Sequence, residues 1–311
     1  MYARAGSRIA LQTFTFIGVT TGQSAAMRLF PAWARELDLG EVRLVGYDLP
    51  LHAGAARYRE AVGRIKSDRQ GRGALVTTHK IDLFEACRDM FDAVDQYARL
   101  CGETSCLAKR GGQLLAFATD PISSGRALGE FYPEQSPGDV LCLGGGGSAV
   151  AITVNLIQRR AASHITVVNR TAGRLEAMRD IHARLGGDTD VRYVENSDPH
   201  TNDRLIGELP PGSLVINATG MGKDTRGSPI TDGARFPEAG YAWELNYRGD
   251  LEFLDQALRQ QEGRHLHVED GWRYFIHGWA VVMEHVFEID VDGAKIARLA
   301  AVSEAERPTH R

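Results

Sequence analysis

An apolar strand that ends in four consecutive glycines constrains this chain more than any other feature. Leu141-Cys142-Leu143 runs into Gly144-Gly145-Gly146-Gly147, and Ser148-Ala149-Val150-Ala151 then opens a helix of small residues. Glycines at such a junction remove every Cβ that would block a pyrophosphate. The helix N-terminus offers free N–H groups and a positive dipole end to phosphate oxygens. The second strand of the unit, His164-Ile165-Thr166-Val167-Val168, leads straight into Asn169-Arg170-Thr171. A cofactor without a 2′-phosphate usually meets an Asp or Glu near this point; an Arg pairs with a 2′-phosphate instead. The expected cofactor is therefore NADP(H) rather than NAD(H). The competing reading is a glycine-rich surface loop beside an unrelated Arg. A glycine run alone is a weak motif, and strand, helix and basic residue in the right order favour the cofactor.

A length of 311 residues suits two domains rather than one small core. With 36 basic against 40 acidic residues the formal charge is −4, which argues against a nucleic-acid partner. No apolar stretch is long enough to cross a bilayer, so no membrane association is expected. The N-terminus carries charge but no continuous apolar segment after it, so the cytoplasm is the expected compartment. The four cysteines, Cys87, Cys101, Cys106 and Cys142, lack paired CxxC spacing, although Cys101 and Cys106 flank a turn. Free structural thiols and no metal site are expected.

Strands and helices alternate from the start, which predicts an α/β fold. Thr15–Val19 reads as a strand, Ser24–Leu37 as a helix, Val42–Tyr47 as a strand, Ala55–Ser67 as a helix and Gly73–Thr77 as a strand. Asp82–Cys101 reads as one helix. A hairpin of Thr104–Ala108 and Leu114–Ala118 turns at Gly111-Gly112. A helix over Ser123–Phe131 precedes a linker at 132–139 that holds two prolines and a glycine. The dinucleotide half follows from Val140, with later strands at Val191–Val194, Ser213–Asn217 and Tyr241–Leu245 and a helix over Asp250–Gln261. A last amphipathic helix, Gly271–Phe287, needs a surface for its apolar face and is expected to return to the first domain. An exposed strand edge near Phe14–Val19 would support a homodimer.

Two charged residues sit where strands end, the usual place for ligand contacts in open α/β sheets. Lys80 follows Val76-Thr77-Thr78-His79, and Asp120 follows Phe117-Ala118-Thr119. An ammonium can polarise or protonate a carbonyl oxygen and, once neutral, take a hydroxyl proton in the reverse direction. A carboxylate beside it would orient it and bond a second substrate hydroxyl. Read cold, a surface Lys and a helix-capping Asp compete with this reading. His79 is a further acid–base candidate, against the plainer view of a solvated neighbour of Lys80.

Taken in order, strand–His79-Lys80, hairpin–Thr119-Asp120, the glycine loop, Asn169-Arg170-Thr171, Asn217-Ala218-Thr219-Gly220-Met221 and Tyr247 after a strand resemble the shikimate dehydrogenase family. The resemblance covers roughly Ile17 to Phe287. It implies a small-molecule substrate and a catalytic Lys80–Asp120 pair. It also implies a cofactor site of Gly144, Gly145, Gly146, Gly147, Ser148, Asn169, Arg170, Thr171, Arg174, Asn217, Thr219 and Met221, with the 217–221 stretch near the nicotinamide. By the same resemblance, residues 1–125 form a substrate domain to which 268–302 return, and 126–267 form a Rossmann-type, doubly wound NADP-binding domain. The cleft between them would hold the reaction. Residues 303–311 are polar and expected to be a disordered tail.

The substrate half departs from the family's pattern. Of the two serines in its carboxylate-binding turn only Ser24 is present; the other position is Ala26. Its Asn and Thr on the third strand are Ala74 and Val76, a second Asn is Ser105, and the Gln of its last helix is Gly278. Ser24, Thr77, Ser105 and Tyr247 remain as substrate-binding candidates. Each lost partner would leave a polar group unpaired at ~1–3 kcal/mol. Meanwhile Trp272, Tyr274, Phe275 and Trp279 add bulk. The expected chemistry is kept while the substrate shifts to another hydroxylated or amino-substituted ring alcohol or ketone. Two alternatives stand beside it. One is a true shikimate or quinate dehydrogenase with a site rebuilt from Thr20, Thr21, Thr77 or Arg273. The other is a non-catalytic NADP(H)-binding regulator, which would need neither Lys80 nor Asp120.

Overall fold

The computed structural model describes residues 11–134, 138–223 and 225–308. They fall into two compact units. One holds the described residues up to Thr119 together with Trp279–Glu306; the other holds Asp120–Gly278 and the described residues from Arg307.

The first unit is a six-stranded mixed sheet with helices. Its elements are β1 (Gln12–Gly18), α1 (Ala25–Glu36), β2 (Val42–Asp48), α2 (Ala55–Ser67), β3 (Gly71–Val76), α3 (Lys80–Cys87), β4 (Ala93–Val94), α4 (Gln96–Cys101), β5 (Cys106–Arg110) and β6 (Gln113–Phe117). The sheet order is β2-β1-β3-β5-β6-β4. β1 pairs in parallel with β2 on one side and β3 on the other. The free edge expected at Phe14–Val19 therefore does not exist, and a dimer has no basis there. Phe14, Phe16 and Ile17 are all buried, which is why this strand lies inside the sheet. The edges are β2 and β4.

The helix expected over Asp82–Cys101 is broken. Tertiary pairing overrides the apolar periodicity: Asp92 N–H donates to the Leu114 carbonyl, and β4 pairs with β6. Asp95 then caps α4, its carboxylate accepting from the N–H groups of Tyr97, Ala98 and Ala118. All four cysteines are thiols rather than halves of a disulfide, and burial pushes the Cys87 thiol up to about 11 and the Cys142 thiol up to about 12.

The second unit holds α5 (Asp120–Leu128), β7 (Val140–Leu143), α6 (Gly147–Arg159), β8 (His164–Asn169), α7 (Ala172–Leu185), β9 (Asp190–Glu195), α8 (Pro199–Gly207), β10 (Leu214–Asn217), β11 (Tyr241–Glu244), α9 (Glu252–Leu258), α10 (Gln261–Arg264), β12 (His267–Glu269) and the start of α11 (Trp272–Phe287). Its sheet is parallel throughout, in the order β12-β11-β10-β7-β8-β9. The strand order reverses between β7 and β10, the switch point where doubly wound sheets bind ligands. Every residue of β7 and β10 is buried, as a parallel strand covered on both faces requires.

The boundary lies at Thr119/Asp120 rather than at 125/126, because α5 packs on α6. A Cβ at Gly125 would lie 2.1 Å from the Asn155 amide nitrogen. The other boundary falls inside α11, after Gly278. Nor is α11 the last helix, or 303–308 a disordered tail. An apolar stripe of Ile296, Leu299 and Ala300 buries α12 (Gly293–Ser303), whose N-cap Asp292 accepts from Lys295 N–H. Ser303 is fully buried and accepts from Trp33 Nε1 at 2.8 Å, and Arg307 pairs with Asp270 at 2.6 Å. Only 309–311 of the expected tail lie outside the described residues. Among the described residues no helix is long and apolar enough to cross a membrane.

A buried histidine ties three elements of the second unit together. Thr153 on α6 donates to the Ala149 carbonyl, so its oxygen accepts from His182 Nε2–H at 2.9 Å, and His182 Nδ1 accepts from the Tyr193 hydroxyl at 2.7 Å. This tautomer assignment follows from the hydrogen-bond network. Burial lowers the His182 pKa to about 4. A depressed base contributes stability above its unfolded pKa near 6.5 and loses it as pH falls through the folded value. Wild-type stability should drop by ~3 kcal/mol between those limits from this residue. Urea titrations near pH 7 and pH 4 should show a shallower fall for His182→Gln; equal falls would refute the linkage.

Candidate functional site

The glycine run emerges from β7 at the switch point. Gly144 has φ of 122°, and a Cβ there would lie 2.5 Å from the Ala218 carbonyl oxygen of the loop after β10. Gly145 faces Asn169, whose Cγ would be 3.0 Å from an added Cβ. Gly146 is the N-cap of α6 and supplies no capping side chain. The first N–H groups of Gly147, Ser148 and Ala149 are therefore available to an anion. A Cβ on Gly146 would meet nothing within 4 Å, so the space in front of that helix end is open. This is a cradle of bare backbone, packed against the loop after β10 at Gly144 and open in front of the helix end at Gly146.

Asn169 closes β8 and shapes the next corner, its amide donating to the carbonyl and hydroxyl of Thr171 at 3.1 Å each. Arg170 and Arg174 are exposed there, at the start of α7, and neither is paired with a carboxylate among the described residues. Thr171 is the N-cap of α7 but makes no capping side-chain bond.

Asn217, Thr219 and Met221 form a hydrogen-bonded turn. Asn217 Oδ1 accepts from Thr219 N–H and hydroxyl, and the Thr219 oxygen accepts from Met221 N–H. Beneath it lie two residues that the motif reading missed. Glu244, fully buried at the end of β11, accepts from Asn217 Nδ2 at 2.6 Å. Asn246 bonds both Glu244 and the Met221 carbonyl. The available signal was a charged residue closing the apolar run Tyr241-Ala242-Trp243 in a sheet buried on both faces.

In the first unit, Lys80 is the first residue of α3, reached from β3 through a tight bend. Thr77 N–H donates to the Ile17 carbonyl, and His79 N–H donates to the Thr77 carbonyl at 2.6 Å. Thr78 between them has φ of 62°, a strained conformation for a β-branched residue. The Lys80 carbonyl accepts from Thr104 N–H at 3.1 Å. Ser105 continues the connection: its carbonyl accepts from Val76 N–H, and its hydroxyl accepts from Thr119 N–H at 2.7 Å. Thr119 is covalently followed by Asp120, the first residue of α5, 9% exposed. The backbone of the Lys80 bend and the residue before Asp120 thus belong to one bonded frame. Lys80 itself is half-buried.

His79 is not a solvated neighbour. It is 2% exposed, bonded to the Tyr58 hydroxyl at 3.1 Å and to the Leu49 carbonyl at 3.1 Å. Both ring nitrogens are occupied, so it anchors the bend. Ser24 caps α1, accepting from Ala26 N–H at 3.3 Å. Tyr247 lies against Trp272 and Phe275, ring centroids 5.4 and 4.8 Å away, and burial raises its phenol pKa.

The bulk expected from the α11 tryptophans is core rather than pocket. Trp272 is fully buried, and Trp279 packs on Phe14, Phe16 and Trp33. Ala74 and Val76 are buried in the core of the first unit. At Gly278 a Cβ would meet nothing within 4 Å, so the missing side chain leaves open space. Two residues that could have rebuilt polar contacts are committed elsewhere. Thr21 donates to Asp48 through both its N–H and hydroxyl, and Arg273 grips Glu130 with two nitrogens.

A shikimate dehydrogenase (NADP(+)) of Symbiobacterium thermophilum is 30% identical to this chain over 222 residues, covering 70% of the chain and 73% of the relative. The chain belongs to the shikimate dehydrogenase family. No family model matches. Its fold is shared with the Thermus thermophilus shikimate 5-dehydrogenase in complex with NADP(H) and shikimate, at TM-score 0.70 and 24% identity over 94% of this chain and 99% of that one. A 5-ketofructose reductase of Gluconobacter has the same fold, at TM-score 0.71 and 20% identity over 95% and 98% of the two chains.

Proposed function

We propose that this chain is a shikimate/quinate-type, NADP(H)-dependent dehydrogenase whose substrate is a hydroxylated or amino-substituted ring alcohol or its ketone. The observation that carries the reading is the bonded frame joining the Lys80 bend through Thr104 and Ser105 to Thr119, immediately before Asp120. The glycine cradle fits a pyrophosphate, the exposed Arg170 and Arg174 fit a 2′-phosphate, and the Symbiobacterium relative carries NADP+ in its name.

Bound NADP(H) supplies or accepts the hydride. Lys80 holds the reacting oxygen, giving it a proton in reduction and taking the hydroxyl proton in oxidation. Asp120 orients the ammonium and accepts from a second substrate hydroxyl. Tyr247, kept protonated by burial, donates to the substrate, and Ser24 and Thr77 offer further hydroxyls. Ser105 acts through Thr119, with its oxygen held by that backbone. The commitments of Thr21 and Arg273, together with apolar Ala26, Ala74 and Val76, favour a substrate other than shikimate or quinate.

The test is an absorbance assay with NADP+ against shikimate, quinate and a panel of ring polyols and amino-substituted rings, and with NADPH against the matching ketones. Fast shikimate oxidation would point to a rebuilt family site. Tight NADPH binding with no turnover of any panel member would point to a regulator. Arg170→Ser should raise the NADPH dissociation constant about 10- to 100-fold and leave that of NADH nearly unchanged. An equal change for both cofactors would remove Arg170 from the 2′-phosphate.

A further inference from the structure

The turn at Asn217–Met221 stands on a buried carboxylate. Asn217 and Glu244 are paired in register at the ends of β10 and β11, and neither is exposed at all. Because Asn217 Oδ1 accepts from Thr219 N–H at 3.1 Å, the amide orientation is set, and Nδ2 must face Glu244 Oε2. The other carboxyl oxygen, Oε1, accepts from Asn246 backbone N–H at 2.8 Å and from its Nδ2 at 2.6 Å. The second hydrogen of that amide reaches the Met221 carbonyl at 3.0 Å. Every group facing the carboxyl is a donor, so only its ionised form satisfies them all.

We propose that Glu244 is a positioning residue for hydride transfer: as a carboxylate it holds the Asn217–Met221 turn in place, and protonating it loosens that turn. The proposal rests on the reading above that this turn lies against the nicotinamide. A proton on Oε2 would oppose the Asn217 N–H; turning that amide to accept it would put Nδ2 against Thr219 N–H. A proton on Oε1 would displace Asn246, the support of the Met221 carbonyl. Burial raises the Glu244 pKa to about 8, and the negative charge of Asp270, just before α11, adds to the rise. Asp270 is itself held by Trp272 N–H and by Arg307, while the partners from β10 and from the end of β11 are the uncharged Asn217 and Asn246. Protonation therefore changes within the working range of a cell.

The experiment follows amide hydrogen exchange at Thr219 and Met221 in the free protein, corrected for intrinsic rates, together with NADPH dissociation constants from fluorescence titration. Both are measured from about pH 6 to about pH 9 on wild type, Glu244→Gln and the double variant Glu244→Gln/Asn217→Asp. In wild type, protection at both amides should rise with pH and the NADPH dissociation constant should fall, each by about tenfold. Glu244→Gln should be poorly protected and weak-binding at every pH. In the double variant donor and acceptor are exchanged: Gln Nε2 donates to the new carboxylate, and Gln Oε1 keeps both Asn246 donors. Protection and binding should return, without the step near pH 8. Glu244→Gln with wild-type protection and affinity would overturn the proposal, as would a double variant no better than the single. A wild-type protein that does not bind NADPH would sink the cofactor reading itself. Wild-type binding with unmoved variants sinks only the role of Glu244.

Discussion

Lys80→Ala is expected to lower kcat by about 10²- to 10⁴-fold while leaving the NADPH dissociation constant within about twofold of wild type. The split follows from where the groups sit. Lys80 opens α3 in the first unit, whereas the glycine cradle, Arg170 and the 217–221 turn all belong to the second. Removing the ammonium deletes the only proposed proton donor to the reacting oxygen and touches none of the proposed cofactor contacts. Lys80→Arg should fail to restore turnover, because a guanidinium cannot give up its proton in this pH range. The measurement is steady-state kinetics on the substrate found in the panel, paired with fluorescence titration of NADPH. Parallel loss of turnover and cofactor affinity would mean that Lys80 supports the fold rather than the chemistry. His79 gives the contrast: both of its ring nitrogens are held within the first unit, and its loss should act through stability.

The second large effect is expected at Gly144. With φ of 122° and a carbonyl oxygen 2.5 Å from where a Cβ would stand, Gly144→Ala must displace either the end of β7 or the loop after β10. The strain costs ~1–3 kcal/mol, and the cradle distorts with it. Gly144→Ala should therefore melt several degrees lower, bind NADPH at least about 100-fold more weakly and lose the thermal stabilisation that saturating NADPH gives to wild type. Gly146→Ala is the internal control. Its φ of −86° suits any residue, and its added methyl meets no protein atom within 4 Å. It should melt like wild type yet bind NADPH poorly, because that methyl enters the space proposed for phosphate. Normal NADPH binding by both variants would remove the glycine run from the cofactor site.

The dinucleotide unit was legible because its signals are local. An apolar strand, glycines and a small-residue helix follow one another within a dozen positions, and the basic corner comes one strand later. The bend carrying Lys80 and the hairpin before Asp120 were legible for the same reason. The break at Arg88–Val94 was not: it exists because Asp92 and Asp95 bond residues of β6 and its exit, contacts that helical periodicity cannot reveal. The α11 tryptophans read as pocket bulk for want of knowing which side of that helix is covered.

By itself the sequence determined the alternation of strands and helices, the glycine cradle with its basic corner, and the two charged residues placed after strand ends. Local chemistry suffices for these, since φ > 0, a missing Cβ or a charge is a property of one residue and its neighbours. Only the tertiary structure decided that β1 lies inside its sheet, that Thr21 and Arg273 are already bonded elsewhere, and that Glu244 sits under the 217–221 turn. Each of these depends on a partner some 27 or more positions away: Asp48 for Thr21, Glu130 for Arg273, Asn217 for Glu244. Parallel strand pairing and side-chain commitment are non-local, and they come into being only when the chain closes on itself.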